Sequence, residues 1–214
     1  MNKVGEYLKK HRIYFIFLGA SILLFLLDLI SKWIVELNCN LYERYAIIPN
    51  FLYVTKSYNI AIAFSLGSEL GVFGRILNIS ISLIMSVIIA IYWFKKKEQF
   101  RKRDHVVAML LFAGAFGNLI DRAFYWEGTT GFNGVIDFIQ FYLGGGPSAP
   151  SNFVNPFATF NFADSFLVIG IIILIIMMIV DNTKATKGTK DDLTIDPRLQ
   201  NDVEEEETHE EETH

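Results

Sequence analysis

The chain is 214 residues long, 52% of them hydrophobic, with a mean hydropathy of +0.34 and a formal net charge of −4. Apolar content at that level, gathered into blocks, argues against a soluble domain and for a membrane protein. One cysteine, Cys39, excludes an intramolecular disulfide and a multi-cysteine metal site, and basic residues that flank apolar runs without forming an aromatic-laced stripe exclude a nucleic-acid surface.

Four apolar runs stand out, at 13–35, 76–94, 106–120 and 165–180. The last two are short for a span and must take in their flanks, so the predicted transmembrane helices cover about 13–35, 72–94, 105–123 and 161–181. Lys9, Lys10 and Arg12 ahead of the first run also suit a signal peptide. That run is too long for one, and Asp28 and Lys32 stand where a small-residue cleavage pattern belongs, so it is read as a retained helix. Lys and Arg concentrate before helix 1, between helices 2 and 3 (Lys95, Lys96, Lys97, Arg101, Lys102, Arg103) and after helix 4 (Lys184, Lys187, Lys190). The positive-inside rule then puts both termini in the cytoplasm and both long loops outside.

In helix 1, Asp28 and Lys32 lie one turn apart near the outer end, where they can neutralise each other or hold other polar groups. Residues 40–66 are rich in aromatic and β-branched side chains, with Pro49-Asn50 as a turn signal, and predict short strands at the outer surface. Tyr42, Tyr45, Tyr53 and Tyr58 suit the headgroup level there, and Asn59 is a lone amide ahead of small residues. Helix 2 is apolar nearly all round, and Asn78, Ser80, Ser82 and Ser86 read as interhelical contacts. Helix 3 carries Gly114 and Gly117 for close packing, then Asn118, Asp121 and Arg122 on one face as it leaves the membrane. An ion pair between Asp121 and Arg122 is the bland account of those two.

The outer loop 124–160 holds Asp137 inside an apolar, strand-like run, followed by a Gly/Pro-rich stretch from Gly144 to Pro156. Asp137 could be the solvent-facing residue of an alternating strand. Asn161 and Asp164 open helix 4, where either could simply cap the first turn. Beyond it, residues 186–214 form a predicted disordered, acidic cytoplasmic tail. From Asp191 onward eleven acids face Arg198 alone, a net of −10, which leaves +6 on residues 1–190. His209 and His214 in that tail are weak candidates for adventitious metal binding.

The predicted topology brings Asp28, Lys32, Asn59, Asn118, Asp121, Arg122, Asp137, Asn161 and Asp164 to one depth, the outer interface. With His11 and His105 on the cytoplasmic side, thiol catalysis, a Ser-His-Asp triad and a histidine zinc site lack their parts there. Two carboxylates held close resist joint ionisation, so one keeps a proton while the other serves as base toward a water, an arrangement able to hydrolyse an amide. Asp137 and Asp164 are the acids best separated from counter-ions, since Asp28 has Lys32 and Asp121 has Arg122. Two other readings compete: a small transporter or proton relay, which predicts polar residues at several depths, and a serine-lysine hydrolase using Ser31 or Ser165 with Lys32.

Five segments, taken in order, resemble the successive motifs of bacterial lipoprotein signal peptidase (signal peptidase II). They are Asp28-Leu-Ile-Ser-Lys32, Asn59-Ile-Ala-Ile-Ala-Phe-Ser65, Gly117-Asn118-Leu-Ile-Asp121-Arg122, Val135-Ile136-Asp137-Phe138 and Phe160-Asn161-Phe162-Ala163-Asp164-Ser165. The resemblance implies an all-α membrane protein, a peptidase domain over 1–185 with four transmembrane helices, a small extracytoplasmic β-rich cradle and an amphipathic or loop lid. It implies an aspartic endopeptidase of the bacterial cytoplasmic (inner) membrane, acting as a monomer near the outer leaflet among membrane lipids. Its substrates would be diacylglyceryl-modified prolipoproteins, cut just before the modified cysteine, with no metal or other cofactor. The family's catalytic pair falls on Asp137 and Asp164, and its supporting residues on Asp28, Lys32, Asn59, Asn118, Asp121, Arg122 and Asn161. The motifs leave open which aspartate carries the resting proton. Ala61 stands where the family usually has glycine, and the segments 123–134 and 140–157 are longer than in many relatives.

Overall fold

A computed structural model of the chain describes residues 3–59, 71–124, 134–152 and 155–195. In order, the elements are α1 (Lys3–Asn38), β1 (Arg44–Ile48), β2 (Leu52–Asn59), α2 (Gly71–Lys96), α3 (Lys102–Phe124), β3 (Val135–Phe141) and α4 (Phe162–Ile195). All four helices contain stretches long and apolar enough to cross a membrane: His11–Asn38, Ile76–Lys96, Lys102–Phe124 and Phe162–Lys184. By contacts the chain divides into residues 1–171 and residues 172–214; the described part of the second unit, 172–195, is helical and strongly apolar up to Val180.

Within the first unit α3 is the central helix. Half of its most apolar stretch is buried in the protein, against 6% in α1 and 17% in α2. Both α1 and α2 pack on it. Its small residues explain how: a Cβ on Gly114 would come within 2.5 Å of the Ala163 carbonyl oxygen, and one on Gly117 within 2.7 Å of Asp28 Oδ2. Glycine at these two positions lets the start of α4 and the acid of α1 approach the α3 backbone. The outward faces of α1 and α2 are almost wholly apolar and exposed, for example Leu23, Ile34, Phe73 and Ile84, as a lipid-facing surface requires.

The three strands form one antiparallel sheet in the order β1-β2-β3. Pro49 and Asn50 make the turn between β1 and β2, where Asn50 adopts φ 61°, a left-handed conformation that asparagine tolerates. The β2–β3 register pairs Val54 with Ile139 and Ser57 with Asp137, with an irregularity between Val54 and Ser57 that re-aims the strand just opposite the acid. Val35, Ile136 and Phe138 form a buried cluster, on which Cys39, Val54, Tyr58, Ile139 and Phe162 pack. That cluster fastens the sheet to the ends of α1 and α4, and it makes Cys39 a small packing residue.

Several expectations are refined. Tyr53 is 9% exposed and packs edge-on against Tyr142, so it is a core residue of the sheet and not an interfacial one. The β3 residues Val135 to Phe138 are buried on both faces, so Asp137 is no solvent-facing member of an alternating strand. Helix α4 carries helical structure through 186–195, where a tail was expected. Residues 60–65 of the Asn59 motif, including Ala61, lie outside the described residues, as do 125–133 and 153–154 of the outer loop and 196–214 of the tail with His209 and His214.

Candidate active site

Asp137 sits mid-strand on β3 and is 2% exposed. Asn161 Nδ2 donates to its Oδ1 at 2.7 Å, and Asn59 Nδ2, from the end of β2, donates to its Oδ2 at 3.0 Å. Asp164 lies in the first turn of α4 and is partly open. Asn118 Nδ2, from α3, donates to Asp164 Oδ1 at 2.7 Å. Asn161 also reaches Asn118 Oδ1 at 3.2 Å, so a continuous chain of side-chain hydrogen bonds runs from Asp137 through Asn161 and Asn118 to Asp164.

Local backbone structure explains why the two acids meet. Phe160 pairs with Ile139, its carbonyl accepting from the N–H groups of Phe138 and Ile139 and its own N–H donating to the Ile139 carbonyl. The chain entering α4 is therefore stitched alongside β3 one residue before Asn161. Asn161 then caps the helix: its Oδ1 accepts from the Asp164 N–H at 2.9 Å while Asp164 Oδ2 accepts from the Asn161 N–H at 3.3 Å. This is a reciprocal capping box. The capping account of Asp164 thus describes one of its oxygens, and the other faces Asn118.

Beneath the pair lies a buried ion triad. Lys32 Nζ pairs with Asp28 Oδ2 at 2.7 Å and with Asp121 Oδ2 at 3.0 Å, and donates to Asn118 Oδ1 at 3.2 Å; all three charged groups are 0% exposed as residues. Asp28 Oδ1 accepts from the Ala163 N–H at 2.8 Å, and Asp121 Oδ2 accepts from the Ile136 N–H at 3.3 Å. Each carboxylate thus holds the backbone amide just before one of the two acids, Asp164 and Asp137. Asp121 takes its counter-ion from α1, which corrects the expectation that Arg122 would supply it. Adjacent residues on a helix diverge by about 100°, and Arg122 Nη1 donates to Ser82 Oγ on α2.

Burial pushes the Asp137 carboxyl up to about 8, and the negative charge of Asp164 adds to the rise; the amide donors Asn59 and Asn161 pull the other way. An arrangement in which one acid keeps a proton beside a charged, more accessible partner can deliver a proton and accept one in the same site. Ser31 Oγ–H and Ser165 Oγ–H each donate to a carbonyl of their own helix, at 2.8 and 2.9 Å, and Lys32 is committed to three acceptors. None of these groups is poised as a nucleophile or base. Buried polar side chains also occur at the other end of the bundle, Ser21 and His105 among them, but the buried charged residues among those described, Asp28, Lys32, Asp121 and Asp137, all lie in this one cluster. Among the described residues no group of three or more His, Cys, Asp or Glu side chains is set to hold a metal.

All nine residues expected at the outer rim fall in or beside this cluster, with Arg122 directed to α2. Two participants were not legible in the sequence, the backbone N–H groups of Ala163 and Ile136, which carry no side-chain signal; Ser82, read from the sequence as an interhelical contact, is one, with Arg122 as its partner.

Residues 20–180 match the family model described as signal peptidase (SPase) II. The chain belongs to the signal peptidase II family. The lipoprotein signal peptidase of Staphylococcus epidermidis is 34% identical over 174 residues, covering 81% of this chain and 95% of the relative, and that of Staphylococcus aureus is 33% identical over 177 residues, covering 81% and 94%. A solved bacterial membrane enzyme, determined by the in meso method, superposes with a TM-score of 0.61 at 28% identity over 78% of this chain and 90% of its own. A second such structure gives a TM-score of 0.59 at 29% identity. As a signal peptidase II family member the chain is a peptidase and an integral membrane protein, so the site described above sits among helices that span a bilayer.

Proposed function

We propose that this signal peptidase II family member is an aspartic endopeptidase that removes signal peptides from prolipoproteins, hydrolysing the peptide bond before a diacylglyceryl-modified cysteine. The substrate class follows from the names of the relatives, which are lipoprotein signal peptidases. The observation that carries the chemistry is the hydrogen-bonded chain joining buried Asp137 to more open Asp164 through Asn161 and Asn118.

In this reading Asp164 takes a proton from a water as the water's oxygen bonds to the scissile carbonyl carbon. Asp137, holding its proton at neutral pH, gives it to the carbonyl oxygen, so that charge is neutralised as it develops. Collapse of the gem-diol intermediate breaks the C–N bond: the proton taken by Asp164 passes to the leaving amine, and a proton of one of the two hydroxyls returns to Asp137, yielding a carboxylic acid, a free cysteine amine and the pair in its starting state. The triad Asp28–Lys32–Asp121 positions both acids through the backbone. The three-stranded sheet stands beside Asp137 as a cradle for extended peptide, and the lipid anchor keeps the substrate at the outer interface. The described domain acts as a monomer in the bacterial cytoplasmic membrane, both termini inside.

The test is cleavage of a lipidated prolipoprotein by the purified Asp137→Asn and Asp164→Asn variants, with thermal unfolding to verify their fold. Each should lose about three orders of magnitude or more in turnover, as removal of one member of a catalytic set does. Wild-type cleavage by either folded variant would remove that residue from the mechanism.

A further inference from the structure

At the end of the bundle opposite the acids, α1, α2 and α3 enclose a groove of about 440 Å³, counting its open side. Its walls are apolar, with side chains such as Phe17 and Leu18 of α1, Phe94 of α2 and Phe112 of α3. Two polar side chains interrupt them. The Ser21 hydroxyl is satisfied by the Phe17 carbonyl of its own helix at 2.9 Å. The other is His105, 1% exposed.

The His105 ring is held in one state by its neighbours. The Trp93 indole N–H donates to Nδ1 at 3.0 Å. An indole nitrogen only donates, so Nδ1 accepts and the ring proton stands on Nε2. Phe17 stacks on the ring at 5.0 Å, and Phe100 meets it edge-on at 5.4 Å. Among the described residues nothing accepts a hydrogen bond from Nε2, which leaves this N–H of a groove-lining ring free to donate. The mouth of the groove carries a cation. Lys97 Nζ stands 5.5 Å from the Trp93 ring centre and 5.3 Å from that of Phe94, both lining residues. Asp104, the nearby acid, pairs with Arg101 and Arg103, and among the described residues no carboxylate pairs with Lys97.

We propose that this groove is a binding site for an anionic glycerophospholipid, one acyl chain in the apolar trough, an ester carbonyl accepting from His105 Nε2, and the phosphate at Lys97. Trough, ring N–H donor and cation follow one another in the order that chain, ester and phosphate do in such a lipid. The helix of a second copy would fill the trough equally well, but its carbonyls are spent within the helix and it brings no anion to Lys97. Nothing in this assignment depends on the peptidase reading.

Trp93 is itself the reporter. With Trp33→Phe and Trp126→Phe it is the only tryptophan left in the full-length chain. The protein is reconstituted in phosphatidylcholine bilayers containing increasing fractions of brominated-chain phosphatidylglycerol or brominated-chain phosphatidylcholine, and Trp93 fluorescence is followed. The anionic quencher should act at about fivefold lower mole fraction than the zwitterionic one, the preference expected of one lysine at a membrane surface. Lys97→Ala should bring the two curves together, and Ala108→Phe, which fills the trough, should remove the excess quenching by the anionic lipid. Equal quenching by both lipids in the parent, or a preference that survives Lys97→Ala, would overturn the site. So would insensitivity to both lipids combined with a dimer resistant to dilution, the outcome expected if a second copy fills the groove.

Discussion

Asp137 keeps its proton to about pH 8 because ionising it inside the protein, beside the charge of Asp164, is unfavourable. Its ordinary value in an unfolded chain is about 4. Between those two values the folded chain binds one proton more than the unfolded chain, so stability falls as pH rises through that window and is level again above it. Asp137→Asn removes the titration. Thermal unfolding in detergent should therefore show the wild type losing stability relative to Asp137→Asn between pH 5 and pH 8 (about the span of that window). Turnover of the wild type should fall as pH rises through about 8, where the acid that protonates the carbonyl oxygen is lost. A rate that stays level well above that value would detach the proton of Asp137 from the reaction.

Lys32 illustrates why a buried charge at this scale is a positioning device and not a source of stability. Desolvating an ammonium and two carboxylates costs about as much as their attraction returns. What the arrangement secures is geometry: one cation fixes two carboxylates, and each carboxylate fixes the amide preceding a site acid.

At the scale of elements, the site depends on how closely α4 approaches α3. Gly114 is the point of contact, with the Ala163 carbonyl where a Cβ would stand. Gly114→Ala should displace the start of α4, cost about 1–3 kcal/mol as overpacking does, and lower turnover, because Ala163 adjoins Asp164. Gly19 of α1 provides the contrast: a Cβ there meets nothing within 4 Å. Gly19→Ala should leave unfolding and cleavage unchanged or gain slightly from better helix propensity. Equal behaviour of the two substitutions in unfolding and cleavage assays would show that the α3–α4 approach does not set the site.

For the whole molecule, the distribution of basic residues assigns the two ends of the bundle to opposite sides of the membrane. The proposed orientation is checked with the chain's own thiol. Cys39 follows α1 at the end that carries the acids, and it is the single cysteine. In intact cells a membrane-impermeant maleimide should label it from outside after mild denaturation exposes it. In a Cys39→Ser background, Glu98→Cys, in the basic loop between α2 and α3, should label only after permeabilisation. The reverse pattern would invert the topology and place the site acids at the inner face.

The amino-acid sequence by itself determined the spans, because hydrocarbon leaves no choice for twenty apolar residues but a helix. It also singled out the nine candidate site residues, because charges and amides within or beside apolar runs stand out against their surroundings. Asp28 and Lys32 were legible as a pair from helical spacing alone. Only the tertiary structure decided that Asp121 joins that pair across the bundle, that Ser82 receives Arg122, and that backbone amides of Ala163 and Ile136 carry the link to the acids. Those contacts join residues tens of positions apart, and a backbone N–H is the same at every position. No local pattern can therefore encode which one a distant carboxylate will hold.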